Sequence, residues 1–168
     1  GNGFCIPAGP LREPIRRLRS VDFIAVNDEV EKKVYPPHVH VFHFFYKPMK
    51  IVNLLTGQVC HPDNWDGSEI VHAVTAIGAP DRFKKSLERL GLQVILHPHD
   101  DHDRLKLGDL SFNDGLDIII TAKDAVKLEW EFDHDVWCLE IEAVLDPSVT
   151  DDLITCLNEK GLNLVVQR

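Results

Sequence analysis

The sequence has no basic surplus. Lys and Arg number 18 against 27 Asp and Glu, a net charge of −9. A general nucleic-acid binder needs a basic surface that releases counterions, so nucleic acid is excluded as a partner. It also has no C-x-x-C pair. Cys5, Cys60, Cys138 and Cys156 are scattered, which suits neither a zinc ribbon nor a disulfide framework and favours a reducing, cytosolic setting. No apolar run reaches the length of a membrane span; VHVFHFFY at 39–46 is too short and carries two histidines. The opening residues do not read as a signal peptide. Finally, G-x-x-x-x-G-K-[ST] is missing, so this chain cannot supply a P-loop.

What is there is ordinary in bulk. With 168 residues, 44% apolar and 27% charged, the chain is long enough for one domain with a real core. It begins at Gly1 rather than Met, in the turn-rich GNGFCIPAGPLREP, and the expectation is a piece of a longer protein holding half of its chemistry. Residues 12–20 read as a short basic helix, with Pro14 in its first turn. Strands are expected at 21–26, 39–45, 49–55, 69–77, 93–98, 117–121 and 136–145. Helices are expected at 80–92, 122–130 and 146–161, and loops at 29–40 and 61–67. The fold class is therefore α/β: a mostly parallel sheet flanked by helices, in which 39–45 and 49–55 can pair as an antiparallel two-stranded ribbon. The organisation is a Gly/Pro-rich segment with a basic helix at 1–20, then an α/β domain at 21–168.

In such folds working groups lie at the carboxyl ends of strands. Three polar clusters fall there: GAPDR at 78–82, HDDHD at 99–103 and TAKDAVK at 121–127. The segment His97–Asp103 packs three histidines and three aspartates into seven positions. Three readings stand open. It can be a solvated loop in which one aspartate caps the next element, which composition alone favours. It can be a metal site, although sequence neighbours point in different directions and neither H-x-x-x-H nor a Cys supports it. Or Asp101-His102 can be a pair whose imidazole orients a catalytic carboxylate supplied from elsewhere. Arg12, Arg16, Arg17 and Arg19 against Glu13 leave a local positive surplus that is either a solvated face or a set of phosphate forks. Arg12 follows a stiff PAGPL turn that would fix its direction. In TAKDAVK, a helix start is the simpler reading: Thr121 caps, Asp124 favours the positive end of the dipole, and Lys123 and Lys127 are surface.

Taken together, GNGFCIPAGPLREP (1–14), VHAVTAIGAPDRF (71–83), DDHD (100–103) and TAKDAVK (121–127), in this order and spacing, resemble the carboxyl-terminal half of the tetraacyldisaccharide 4'-kinase (lipid A 4'-kinase) family. The resemblance spans nearly the whole chain. It implies ATP-dependent phosphoryl transfer to the 4'-hydroxyl of a tetraacyldisaccharide 1-phosphate in lipid A and lipopolysaccharide biosynthesis. It places the enzyme peripherally at the cytoplasmic face of the bacterial inner membrane. The P-loop, the Mg2+ ligands and the base aspartate would lie in a half preceding Gly1. The resemblance also implies roles. His102 with Asp101 matches the family's Asp-His pair, whose histidine contacts that base, and Arg12 matches the phosphate-proximal arginine of LREP. Arg16, Lys123 and Asp124 are the expected substrate or phosphate contacts, and the arginine helix would meet an anionic membrane surface. No metal ligand is expected from this chain. Three positions depart from the family pattern: Ala122 replaces a glutamate, Ala76 a glycine and Ala79 a polar residue. The alternatives are a stand-alone metal-dependent hydrolase built on His97–Asp103, and a non-catalytic binding module.

Overall fold

A computed structural model describes residues 2–27, 35, 37, 39–128 and 133–162. Most of the loop expected at 29–40 lies outside the described residues. The strands are β1 (Phe23–Asn27), β2 (His40–Asn53), β3 (Val59–Cys60), β4 (Ile70–Thr75), β5 (Gln93–Pro98), β6 (Asp117–Thr121) and β7 (Val136–Leu145). The α-helices are α1 (Pro80–Glu88), α2 (Ala122–Ala125) and α3 (Pro147–Glu159), joined by short 3-10 turns. The chain divides into two compact units, one of residues 1–46 with 143–168 and one of residues 47–142.

The second unit is a sheet in the order β2-β7-β6-β4-β5, using the later part of β2, with β3 paired to β2. β4 lies parallel to both β5 and β6, and β6 lies parallel to β7. The buried-type runs VHAVT and DIIIT become central strands because both faces are covered. Alternation sends Val71, Ala73 and Ile119 to one face, where Phe83, Leu87 and Leu92 pack with Trp137 and Leu139. Val74, Ala76, Ile118 and Ile120 go to the other, against Leu105, Leu110 and Val136. Helix α1 closes the β4–β5 crossover. Pro80 opens it, Asp81 favours its positive end, Phe83 and Leu87 are buried, and Gly91 at φ +86° ends it.

In the first unit, β1 pairs parallel with His40–Phe44 of β2. Lys160 Nζ meets Asp22 Oδ1 at 2.7 Å, tying the chain just beyond α3 to the start of β1. The turn before Arg12 is stitched by Ile6 N–H to Leu11 O (2.9 Å), Leu11 N–H to Phe4 O (3.2 Å) and Gly9 N–H to Cys5 O (3.0 Å). A Cβ on Gly9 would sit 2.3 Å from Phe4 O, so this turn admits only glycine there.

Three expectations change. Segments 39–45 and 49–55 do not fold back on each other; they form one strand, β2. Lys47-Pro48 carries no residue suited to a two-residue hairpin, and the fixed φ of Pro48 is compatible with extended backbone. An antiparallel pair does occur, between Ile51-Val52 and Val59-Cys60. The basic helix at 12–20 is a 3-10 helix, Ile15–Arg19, with Arg17 N–H bonded to Pro14 O and Ser20 N–H to Arg17 O; five residues are too few for a cooperative α-helix. Of the helix expected at 122–130, the described part is α2, continued by the three-residue-spaced bonds Lys127 N–H to Asp124 O and Leu128 N–H to Ala125 O; residues 129–130 lie outside the described residues.

Candidate active site at the carboxyl ends of the strands

Parallel register brings the strand ends to one level: Thr75 lies opposite Pro98, Val74 opposite Ile120, and Thr121 opposite Leu139. The three polar clusters therefore leave from the same edge of the sheet, the place where open parallel sheets handle ligands.

His102 stands on the loop after β5. Its side chain is 75% exposed, and its backbone adopts φ +74°, the one positive φ outside glycine among the described residues. Left-handed backbone is unfavourable for an L residue, although histidine tolerates it better than most. The surrounding bonds hold it there. His99 N–H donates to Thr75 O (2.9 Å), His102 N–H to Ala76 O (3.3 Å) and Asp103 N–H to Asp100 O (3.0 Å). Asp101 reaches both ways, with Oδ2 3.5 Å from His102 Nε2 and Oδ1 3.4 Å from Lys123 Nζ. Desolvation works against ionisation of Asp101. The Lys123 hydrogen bond and the charges of His102 and Lys123 outweigh it, and the carboxyl lies below its ordinary value. Its Oδ2 would be 3.0 Å from a Cβ at position 78, so Gly78 makes room for it.

Asp124 is buried. Its Oδ2 accepts from Thr75 Oγ1 (2.7 Å), Thr121 Oγ1 (2.8 Å) and Ala76 N–H (3.2 Å), while its own N–H donates to Thr121 Oγ1 (3.2 Å). The Thr121 cap read from sequence is thus present, and it is reciprocal. Asp124 Oδ1 has no hydrogen-bond partner among the described residues; Lys127 Nζ stands 3.5 Å from it. The carboxylate binds the ends of β4 and β6 rather than facing solvent. Lys123 is exposed and paired with Asp101. Arg12 and Arg16 are exposed in the first unit. There Arg17 is held by Glu13 (3.1 Å).

The His/Asp run does not converge. His97 turns to the opposite face of β4 from α1, where its Nε2 is 2.9 Å from His72 Nδ1, and His72 Nε2 is 2.9 Å from Asp114 Oδ2. The carboxylate accepts from His72 Nε2–H, so with both rings neutral His97 Nε2–H donates to His72 Nδ1. Phe112 stacks on His72 at 3.8 Å. Desolvation, then the neighbouring His72 and His99, lower His97, against the pull of Asp114. Asp114 is lowered chiefly by the His72 hydrogen bond. Among the described residues no group of three His, Cys, Asp or Glu side chains is placed to hold a metal ion. Thr75 and the His72–His97 pair are site-building residues that the sequence reading does not single out, and Lys127, read there as a surface lysine, is only 23% exposed and stands against buried Asp124. His97 lies opposite Val74, two residues beyond His72 on the neighbouring strand, so the closeness of the two rings follows only from the strand register.

The fold and these groups define an α/β protein of the mostly parallel type, with an imidazole presented to solvent beside carboxylates and lysines at the strand ends. Comparison with known proteins makes this specific. The chain belongs to the tetraacyldisaccharide-1-P 4'-kinase family, whose model matches residues 1–158. It is 39% identical over 148 residues to the tetraacyldisaccharide 4'-kinase of Pseudomonas fluorescens, covering 88% of this chain and 43% of that one. It is 38% identical over 151 residues to the enzyme of that name from Azotobacter vinelandii, covering 90% and 44%. The chain thus spans under half the length of these curated relatives. Its fold is similar to that of the apo form of LpxK from Aquifex aeolicus crystallised in complex with ATP. That match has a TM-score of 0.64 at 24% identity and covers 90% of this chain and 47% of that one.

Proposed function

We propose that this chain is the carboxyl-terminal part of an ATP-dependent kinase that phosphorylates the 4'-hydroxyl of a tetraacyldisaccharide 1-phosphate in lipid A biosynthesis. The observation that carries the reading is the family match over residues 1–158, reinforced by curated relatives that bear the kinase name and by a fold neighbour solved with ATP. The chain is catalytically incomplete by itself, because the phosphate-cradling loop and the base carboxylate come from a preceding half.

Phosphoryl transfer asks a protein for alignment and charge stabilisation more than for covalent chemistry. The sugar hydroxyl loses its proton to the base carboxylate as its oxygen attacks the γ-phosphorus and ADP departs. His102 contacts that carboxylate and holds its rotamer, and Asp101 orients the imidazole from behind, itself held by Lys123. Arg12, leaving a stitched turn, offsets charge on the transferring group. Arg16 and Lys123 are read as contacts to substrate phosphate; Asp124, expected among those contacts, is buried against Thr75, Ala76 and Thr121 and acts here by building the strand ends. In this reading Mg2+ is held by the other half, with the phosphate-cradling loop. The described residues include no helix long and apolar enough to cross a membrane. Attachment is at the surface, where basic side chains such as those of the Ile15–Arg19 turn contribute about 1 kcal/mol each next to anionic lipid.

The test has two arms. The purified chain should turn over no ATP with the lipid precursor until an ATP-binding half is added. In the whole kinase, His102→Ala should lower kcat by about 100-fold with little change in KM, the effect of losing alignment of a proton-transfer group. An unaltered kcat in that variant removes His102 from the mechanism.

A further inference from the structure

We propose that Lys127, seated on the buried Asp124 carboxylate, is a positioning residue that holds His102 in its left-handed backbone conformation. The proposal rests on the kinase reading for its catalytic consequence, though not for its geometry.

A non-glycine residue at φ +74° keeps that conformation only when its surroundings over-determine it. The tethers of the 99–103 loop lead back to one carboxylate. Thr75 and Ala76 each give Asp124 Oδ2 a donor. The same two residues give the loop its acceptors, Thr75 O for His99 N–H and Ala76 O for His102 N–H. Asp124 therefore fixes the very peptide groups on which His102 hangs. Its second oxygen, buried and without a hydrogen bond, faces Lys127. The ammonium of Lys127 lies between that oxygen at 3.5 Å and Asp103 O at 3.4 Å. His102 is thus bracketed by two lysines, Lys123 on Asp101 before it and Lys127 on Asp103 after it.

The two brackets are not equal. Lys123 and Asp101 are 48% and 45% exposed, and a pair so solvated is weak. Lys127 is 23% exposed and Asp124 fully covered, so solvent screens their attraction far less and the ammonium has few alternative positions. Replacing the cation leaves Asp124 Oδ1 alone in the interior and frees the Asp103 carbonyl, loosening the loop at the residue next to the imidazole.

Two measurements decide it. In this chain, amide hydrogen exchange of His99 and His102 is compared between the native sequence, Lys127→Met and Lys127→Arg. The methionine variant should exchange at His102 roughly tenfold faster, as expected when a charged hydrogen bond no longer restrains a local opening, with Ile119 unchanged. The arginine variant should stay near native. Equal exchange at His102 in all three overturns the clamp. If Lys127→Met fails to fold, Lys127→Gln, which removes the charge facing Asp124 but keeps one donor for Asp103 O, replaces it: exchange at His102 faster than native supports the clamp, and exchange equal to native overturns it. In the whole kinase, Lys127→Met should lower kcat about 10- to 100-fold with KM for ATP preserved, the size expected of a misplaced catalytic group. That loss should vanish in a His102→Ala background, because Lys127 acts through His102. An equal loss in both backgrounds refutes the positioning role. A native kcat in His102→Ala alone removes His102 from the mechanism and with it the catalytic consequence drawn here, whereas no lipid-dependent ATP turnover by the native whole protein refutes the kinase reading; the exchange result stands or falls by itself in either case.

Discussion

Asp124→Ala is expected to destabilise the second unit by about 3–5 kcal/mol, as removal of one partner from a buried charged network does. The structure sets the size. The carboxylate is fully covered and takes three donors on one oxygen. Ala76 N–H belongs to a buried strand end and cannot turn to water, and an orphaned buried donor of this kind costs about 1–3 kcal/mol. The Thr75 hydroxyl is equally buried and can rotate, so its loss is smaller; the Thr121 hydroxyl is half-buried and loses least. The void left by the carboxyl adds the rest. Thr75→Val is the internal comparison. It removes one donor and leaves the other two, and should cost about 1 kcal/mol. The assay is urea unfolding followed by tryptophan fluorescence, since Trp65 and Trp137 pack edge to face at 5.0 Å in the same unit and report on it. A midpoint shift for Asp124→Ala no larger than that for Thr75→Val would refute the claim that this carboxylate organises the strand ends.

Ala79→Asn should stabilise the chain by about 1 kcal/mol in the same assay, because Ala79 is the N-cap of α1 and makes no side-chain cap bond; an unchanged midpoint would show that the first turn of α1 is already satisfied. The His97 ring, lowered by desolvation first and by His72 and His99 next, takes up protons less readily folded than unfolded. Its contribution is therefore complete above the unfolded value of 6.5 and declines as pH falls through it. His134, raised chiefly by its bond to Asp133, works in the opposite sense: its contribution is present at low pH and lost as pH rises through its folded value. The contribution of His97 is isolated by His97→Gln, whose stability deficit relative to the native chain should be smaller at pH 5.5 than at pH 7.5. A deficit independent of pH would contradict the lowered value.

Much of the architecture could be read before any coordinates. VHAVT, QVILHP and DIIIT declare themselves as strands through apolar runs of strand length bounded by turn residues, and the amphipathic PDRFKKSLERLG declares α1 through Phe83, Leu87 and Gly91. These signals are local: a period, a cap, a stop. They were enough to put three polar clusters at strand carboxyl ends, where parallel register then aligned them. The two strands expected at 39–45 and 49–55 are one, because the fixed φ of Pro48 suits extended backbone and β2 runs through it.

The sequence by itself determined the elements and which residues could do chemistry; what each of those residues faces was decided by tertiary structure. Asp124 and Lys123 are neighbours in one motif, yet one is buried under Thr75, Ala76 and Thr121 and the other is exposed beside Asp101. His97 and His102 belong to one run, yet one bonds His72 on the sheet face and the other is presented to solvent at the sheet's edge. The reason is physical. A strand residue's direction follows from pleat and register, and a loop residue's direction from bonds to segments 22 to 26 positions away, so adjacency along the chain carries no information about convergence in space.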